Sequence, residues 1–264
     1  MEYISLSYAS LGIAVLFIVS AMAVSSRYRL GLERDLAVGA IRAFLQLTAI
    51  GYVLQLLFIS EKWYYVAIML VIMLAAAVKN AVARQSVKLK GMFTTLGISI
   101  FVGSALTTAV VIGVILRVKP WYSPRYLIPL AGSILGNSMT GAALALNRLR
   151  SDITHRKPEV EAALALGATS RQAIQPMVRD ALTAAMLPSI SSLMVVGIVH
   201  LPGMMAGQII AGAYPVDAVK YQLMVVYMIA AAVAITSMMV VYLATTLFFT
   251  PDHMLKTEAS GLGS

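Results

Sequence analysis

Seven long apolar stretches divide the chain, at roughly residues 4–24, 37–58, 63–82, 94–117, 126–147, 181–201 and 221–249. An α-helix needs about 20 mostly apolar residues to cross a bilayer. The pattern therefore predicts an all-α, polytopic membrane protein with about seven transmembrane helices. The connections are short except for residues 148–180 and 202–220, so functional residues are expected there and at polar positions within the spans.

Composition agrees with this pattern. Of the 264 residues, 60% are hydrophobic and 12% are charged, and the mean hydropathy is +0.86. We expect one transmembrane domain over residues 1–250 with a cytoplasmic segment at 156–180, followed by a short cytoplasmic tail, 251–264, that ends in a flexible ASGLGS. Cysteine is absent, which excludes disulfides and thiolate metal sites.

The net charge of +9 follows the predicted topology. With the N-terminus outside and the C-terminus inside, fourteen Lys and Arg residues fall on the inner side and five on the outer side, as the positive-inside rule favours. Arg117, Lys119 and Arg125 form an outer cluster that opposes this bias, and snorkelling toward lipid headgroups is one explanation for it. Basic and aromatic residues do not interleave, so nucleic acid is not an expected partner.

The first stretch is expected to remain in the protein. It ends in Ala21-Met22-Ala23, which is similar to a signal-peptidase site, but Glu2 precedes it and no Lys or Arg occurs before Arg27.

The segment 156–180 has the pattern of a helix, a break and a second helix. Pro158 suits a first helical turn, and Glu159 and Glu161 place negative charge at the positive end of the helix dipole. Gly167 then interrupts the pattern before a new helical run from Ser170.

The spacing within this segment resembles the EAA loop of ABC transporter permeases. Glu161-Ala162-Ala163 is followed after three residues by Gly167 and after nine more by Met177, although Arg179-Asp180 stands where the importer pattern has Leu-Pro. The resemblance implies that a short helix docks in a groove of a cytoplasmic ATPase. The residues it assigns to ATPase coupling are Glu159, Glu161, Ala162, Ala163, Gly167 and Arg171.

An alternative for the same segment is an amphipathic helix lying on the inner leaflet, where its Arg and Lys residues would meet anionic lipid. The segment lacks the Trp or Phe anchors typical of such helices, which favours a protein groove.

Three further motifs, at 40–58 (AIRAFLQLTAIGYVLQLLF), 132–149 (GSILGNSMTGAALALNRL) and 201–222 (LPGMMAGQIIAGAYPVDAVKYQ), resemble the FetB family of permeases, which includes plant aluminium-tolerance relatives. The resemblance extends over essentially the whole chain. It implies an ABC permease in the plasma (inner) membrane that works with a FetA-type ATPase and is associated in bacteria with iron export and resistance to oxidative stress.

ATP is expected to bind elsewhere, because none of the 18 glycines is followed by lysine and a G-x-x-x-x-G-K-[ST] phosphate loop is therefore impossible. This chain then needs no cofactor of its own, and ATP and Mg belong to the partner ATPase. Since ABC transporters combine two membrane halves with two ATPases, a homodimer is expected.

Polar residues within the spans are candidates for the transport pathway. Arg42 and Gln46 lie one turn apart on one face of the second stretch, although Arg42 could instead snorkel or pair structurally. In the fifth stretch, Gly132, Gly136 and Thr140 have the four-residue spacing of close helix packing. Asn137 beside them could line the pathway.

Pro and Gly residues between His200 and Pro215 predict a broken or re-entrant helix near an outer gate. Met204, Met205 and Gln208 are its pathway candidates. Thioethers suit soft ions rather than iron, so flexible packing is the favoured role of the methionines, and the metal ligands remain unknown.

Three other functions stay open. A membrane enzyme would need convergent catalytic residues, and the spans contain no paired carboxylates and no HExxH motif. A scaffold or sensor for an ATPase would show no substrate flux. An exporter of an organic solute, such as a nucleotide sugar or a metal chelate, is the alternative within transport.

Overall fold

The computed structural model describes residues 8–60 and 62–256. These residues form the helices α1 (Tyr8–Arg27), α2 (Glu33–Ser60), α3 (Trp63–Ala83), α4 (Met92–Val110), α5 (Pro124–His155), α6 (Lys157–Ala165), α7 (Ser170–Ala173), α8 (Gln175–Val195), α9 (Gly203–Ile210) and α10 (Pro215–Phe248). A π-helical turn, Val111–Ile115, continues α4. The described residues contain no β-strand beyond isolated bridges. The ASGLGS end lies outside them.

The prediction of an all-α, polytopic membrane protein is confirmed. Six helical segments are long and apolar enough to span a bilayer: Ser10–Arg27, Glu33–Ser60, Trp63–Ala83, Met92–Ile115, Pro124–His155 and Pro215–Phe248. The seventh predicted span, 181–201, is displaced. Its helix α8 covers 175–195, and the polar residues of its sequence, including Arg179 and Asp180, keep it below the hydropathy of the other six.

The described residues form two compact units. The first contains α1 and α2 and comprises the residues up to Lys62 together with Ile210–Gly212. Its turn between the two helices is held by Ser25, which is buried and donates its hydroxyl to Oε1 of Glu33 at 2.9 Å. The backbone N–H of Leu32 donates to the same Ser25 oxygen at 3.1 Å.

The second unit, Trp63–Ile209 and Ala213–Ser264, is centred on α10, which packs along α4, α5 and α8. Glycine permits the close approach of these helices. A Cβ atom placed on Gly141 of α5 would lie 2.7 Å from Cγ1 of Val233, and one on Gly103 of α4 would collide with Thr236. Both glycines are buried, so α10 packs against α4 and α5 more closely than a methyl group at either position would allow.

The predicted packing motif is therefore only partly correct. A Cβ on Gly132 would meet the end of Met73 at 3.0 Å, but a Cβ on Gly136 would have no atom within 4 Å. Thr140 instead binds by hydrogen bonds, accepting from Nη1 of Arg84 at 3.4 Å and donating to the carbonyl of Gly136 at 3.1 Å.

Candidate functional site

The segment between α5 and α8 has the predicted helix, break and helix. It begins at Arg156, where the chain leaves α5, and Pro158 lies in the first turn of α6. Nε and Nη2 of Arg156 donate to Oε2 of Glu159 at 2.9 and 2.7 Å. This hydrogen bond lowers the pKa of Glu159 and raises the pKa of Arg156.

Gly167 ends α6 in the left-handed region, with φ of +91°. Its N–H donates to the carbonyl of Leu164 at 3.0 Å, and the N–H of Ala168 donates to the carbonyl of Ala163 at 3.1 Å. These two bonds are the Schellman arrangement, in which glycine is favoured because a Cβ is strained at positive φ. The predicted role of Gly167 as the break between the helices is confirmed.

A capping box opens α7 directly after this turn. The N–H of Thr169 donates to Oε1 of Gln172 at 2.8 Å, and the N–H of Gln172 donates to Oγ1 of Thr169 at 3.4 Å. This cap was not predicted, although the T-x-x-Q spacing at 169–172 is its known signal.

Three buried side chains anchor the segment in the hydrophobic core of the second unit. Val160 and Ile174 are 0% exposed and Met177 is 1% exposed. All three belong to the hydrophobic core that also contains residues of α3, α4, α5, α8 and α10. The segment therefore rests on the helix bundle itself.

Ion pairs extend this attachment. Nη1 of Arg156 lies 3.9 Å from Oδ2 of Asp180 in α8, and Nζ of Lys157 lies 3.6 Å from Oε1 of Glu161 within α6. The Arg179-Asp180 departure from the importer pattern thus supplies a contact between α8 and the start of α6.

The opposite face of α6 is open. Glu161, Ala162 and Ala165 are exposed, and Leu166 is 90% exposed, whereas Ala163 is half-buried toward the core. The surface therefore combines small side chains with one projecting leucine and a carboxylate at its edge.

The end of α10 and the residues after it pack against the same segment. Oγ of Ser170 and Nδ1 of His253 are 2.8 Å apart, and the guanidinium of Arg171 lies 4.0 Å from the centre of the Tyr242 ring. A cleft of about 350 Å³ lies between Glu161 and Leu164 on one side and residues 252–255 on the other.

A reverse turn holds this tail, residues 249–256, in place. The N–H of Thr250 donates to the carbonyl of Met254 at 2.9 Å, and the N–H of Lys256 donates to the carbonyl of Phe248 at 2.8 Å. The sequence of residues 251–264 predicts only a polar tail, because the contact of His253 with Ser170 joins residues far apart in the chain and carries no local signal.

The pathway candidates lie on separate elements. Arg42 and Gln46 are exposed on α2, in the first unit. Asn137 is exposed on α5, where its Nδ2 donates to the carbonyl of Ser133 at 2.8 Å. Arg42 and Gln46 thus belong to a different unit from Asn137, and the assignment of all three to a pathway stays a prediction.

The predicted interruption near residues 200–215 is present, because the short helix α9 stands between two irregular stretches. Met204, Met205 and Gln208 are half-buried on it, and His200 precedes it in an exposed position. Within residues 8–60 and 62–256, no group of three or more His, Asp and Glu residues is arranged to hold a metal ion.

Comparison with known proteins gives a consistent family. The profile of the family described as "Uncharacterised protein family (UPF0014)" matches residues 8–249. The "Probable iron export permease protein FetB" of Escherichia coli (strain K12) is 35% identical over 246 residues, which cover 93% of this chain and 93% of that protein.

Two plant proteins are similar to the same extent. "UPF0014 membrane protein STAR2" of Oryza sativa subsp. japonica is 38% identical over 244 residues, or 92% of this chain and 84% of the relative. "Protein ALUMINUM SENSITIVE 3" of Arabidopsis thaliana is 36% identical over 245 residues, or 93% and 88%. No solved structure matches. With the profile and these relatives covering nearly its whole length, this multi-pass membrane protein belongs to the UPF0014 family.

Proposed function

We propose that this chain is the permease subunit of an ABC transporter in the plasma (inner) membrane, which exports iron or an iron-related substrate and is driven by a separate FetA-type ATPase. One observation carries the proposal. The segment from Arg156 to Asp180 is anchored in the core by Val160 and Ile174, yet it presents an exposed, small-residue surface on α6.

This geometry suits the transmission of movement. A docked ATPase can shift a permease only through contacts that differ between its two states, and those contacts must be attached to the membrane helices. Val160 and Met177 provide that attachment, because displacing α6 would disrupt the core they share with the bundle.

Leu166 supports a protein partner on this surface. Its side chain is 90% exposed, although burial of a leucine stabilises a complex by about 1.5–3 kcal/mol. Exposed alanines beside it, Ala162 and Ala165, would let a groove wall approach the α6 backbone closely.

The remaining components follow from the ABC mechanism. The ATPase supplies the site for ATP and Mg, which this sequence lacks the phosphate loop to form. Two copies of the chain would pair with two ATPases, so the permease is a homodimer in the working complex. The iron-related substrate is proposed from the similar E. coli protein, which is described as a probable iron export permease.

Reconstitution with the ATPase tests the proposal. Leu166→Asp is expected to abolish co-purification of the ATPase. Leu201→Asp, at another exposed leucine beyond the other end of α8, should retain it. Retention of the ATPase by both variants would overturn the assignment of the docking surface.

Flux in liposomes distinguishes the substrates. Fe²⁺, other metals, metal chelates and nucleotide sugars are supplied in turn, and both transport and stimulation of ATP hydrolysis are measured. Movement of an organic solute alone would replace iron as the substrate. The absence of any flux beside a bound ATPase would favour a scaffold or sensor.

A further inference from the structure

An apolar groove of about 450 Å³ runs between α3, α4 and α5, at a site that the proposed function does not use. Its volume is within the range of ligand-binding clefts. The hydroxyls of Ser104 and Thr108 are its few polar groups, and most of its wall is hydrocarbon. Its lining includes Leu70, Leu74, Phe101, Ala105, Ile112 and Leu135.

The length of the groove corresponds to one leaflet. Along α4 and the π-helical turn it extends from Phe101 to Gly113, which is about 18 Å at the rise of a helix. The hydrocarbon core of a bilayer is about 30 Å thick, so one leaflet contributes about half of that. A single acyl chain therefore matches the groove in both polarity and length.

Basic residues lie at one end of this groove. Gly113 and Trp121 both line it, and Arg117 and Lys119 lie between them in the connection to α5. Both basic side chains belong to exposed residues, and neither forms an ion pair with a described residue. Trp121 packs edge-on against Tyr122, with ring centres 5.7 Å apart, as in the aromatic belts found at membrane interfaces.

The basic end of the groove and the segment at 156–180 adjoin opposite ends of α5. α5 begins at Pro124, next to the basic connection, and ends at His155, next to α6. Arg117 and Lys119 thus belong to the membrane face opposite the segment at 156–180, where the positive-inside rule does not account for them.

We propose that the groove is a binding site for an anionic phospholipid, whose acyl chain fills the space between α3, α4 and α5 while its phosphate binds Arg117 and Lys119. Charge selects the headgroup, because attraction to a basic residue near the surface favours an anionic lipid. The π-helical turn lies where chain and headgroup meet, and such turns are frequent at binding sites.

Two sets of variants separate this site from general lipid contact. Gly113→Leu fills the groove, since a Cβ there meets no atom within 4 Å, and Gly51→Leu on α2 is equally open but does not line the groove. Arg117→Gln with Lys119→Gln removes the headgroup contacts. Lys88→Gln with Lys90→Gln removes the same charge at the same spacing from the connection at the other end of α4.

Native mass spectrometry of the full chain measures retained phosphatidylglycerol against phosphatidylcholine. Each charge removed at the groove is expected to weaken phosphatidylglycerol retention about fivefold, so the double variant should lower it about 25-fold. Gly113→Leu should lower retention of both lipids, and the two control variants should leave it unchanged. Equal effects of the groove and control variants would overturn the proposal.

A second measurement uses the unsubstituted protein and does not depend on how the variants fold. Phosphatidylglycerol with a photoactivatable acyl chain should crosslink to residues 101–113 of α4 and its π-helical turn. Crosslinks spread evenly over the exposed helices would instead identify the bound lipid as unselective solvent and would overturn the site.

Discussion

Oγ of Ser170 lies 2.8 Å from Nδ1 of His253, and this contact joins two parts of the chain that are 83 residues apart. It places the tail, residues 249–256, against the start of α7, beside the break at Gly167. The tail therefore supports the proposed coupling segment at the start of α7.

Removal of the His253 side chain should increase local opening of the segment at 156–180. His253→Ala is expected to increase amide hydrogen exchange at residues 168–174, because Ser170 then loses its partner in the tail. His155→Ala is the matched control, since that ring bonds only within α5, at 2.7 Å from the carbonyl of Ser151. Equal exchange in both variants would show that the tail does not hold the segment.

The turn at Gly167 provides a second prediction. Gly167→Ala should destabilise the protein by about 1 kcal/mol, because alanine is strained at a φ of +91°. The cost comes from the backbone alone, since an added Cβ meets no atom within 4 Å. Gly167→Asn should cost less, because asparagine tolerates the left-handed region. Thermal unfolding of the three proteins tests this order, and equal midpoints for Ala and Gly would contradict it.

Helix packing in the membrane gives a matched pair of variants. Gly141→Ala should destabilise the protein by about 1–3 kcal/mol, because the new methyl would lie 2.7 Å from Val233 and force α5 away from α10. Gly136→Ala, on the same helix but in open space, should leave the unfolding midpoint unchanged or raise it slightly. A larger loss at Gly136 would contradict the observed helix contact.

The Arg156–Glu159 pair predicts a small dependence on pH. Because the hydrogen bond lowers the pKa of Glu159 in the folded protein, the pair stabilises α6 above the ordinary pKa of the carboxyl. That contribution is lost as the pH falls through the lowered pKa. The effect is small because both side chains are accessible to water.

Glu159→Gln should therefore lower the unfolding midpoint slightly at neutral pH, and the difference from the unsubstituted protein should vanish on acidification. Arg156→Gln should remove most of the same dependence, since it removes the donor. A difference that grows with acidification would reverse the sign and exclude this pair as its cause.

Local patterns in the sequence predicted much of this structure. Apolar stretches located six spans, because a bilayer demands long runs of apolar residues. Pro158, Gly167 and Ser170 located the helices and the break of the segment, because caps and left-handed turns depend on neighbouring residues.

Features that depend on distant neighbours were not predicted. The contact between Ser170 and His253 leaves no mark within either stretch. Similarly, the spacing of Gly132 and Gly136 shows that they share a helix face, but only the position of α10 makes Gly141 and Gly103 the residues of closest approach. The predicted span begins at residue 181, directly after Arg179 and Asp180, whereas α8 begins at Gln175 because helical hydrogen bonding continues through charged residues.

Helix α5 runs from Pro124 to His155 without interruption, and its 32 residues extend about 48 Å, more than the thickness of the hydrocarbon core. The connection that contains Arg117 and Lys119 adjoins one end, and the proposed coupling segment adjoins the other. Under the proposed function, α5 is one continuous helix that connects the two faces of the membrane. A lipid bound at one face would then act on the same helix that the ATPase moves at the other face when it binds nucleotide. The transport rate would therefore depend on the lipid composition of the leaflet opposite the coupling segment.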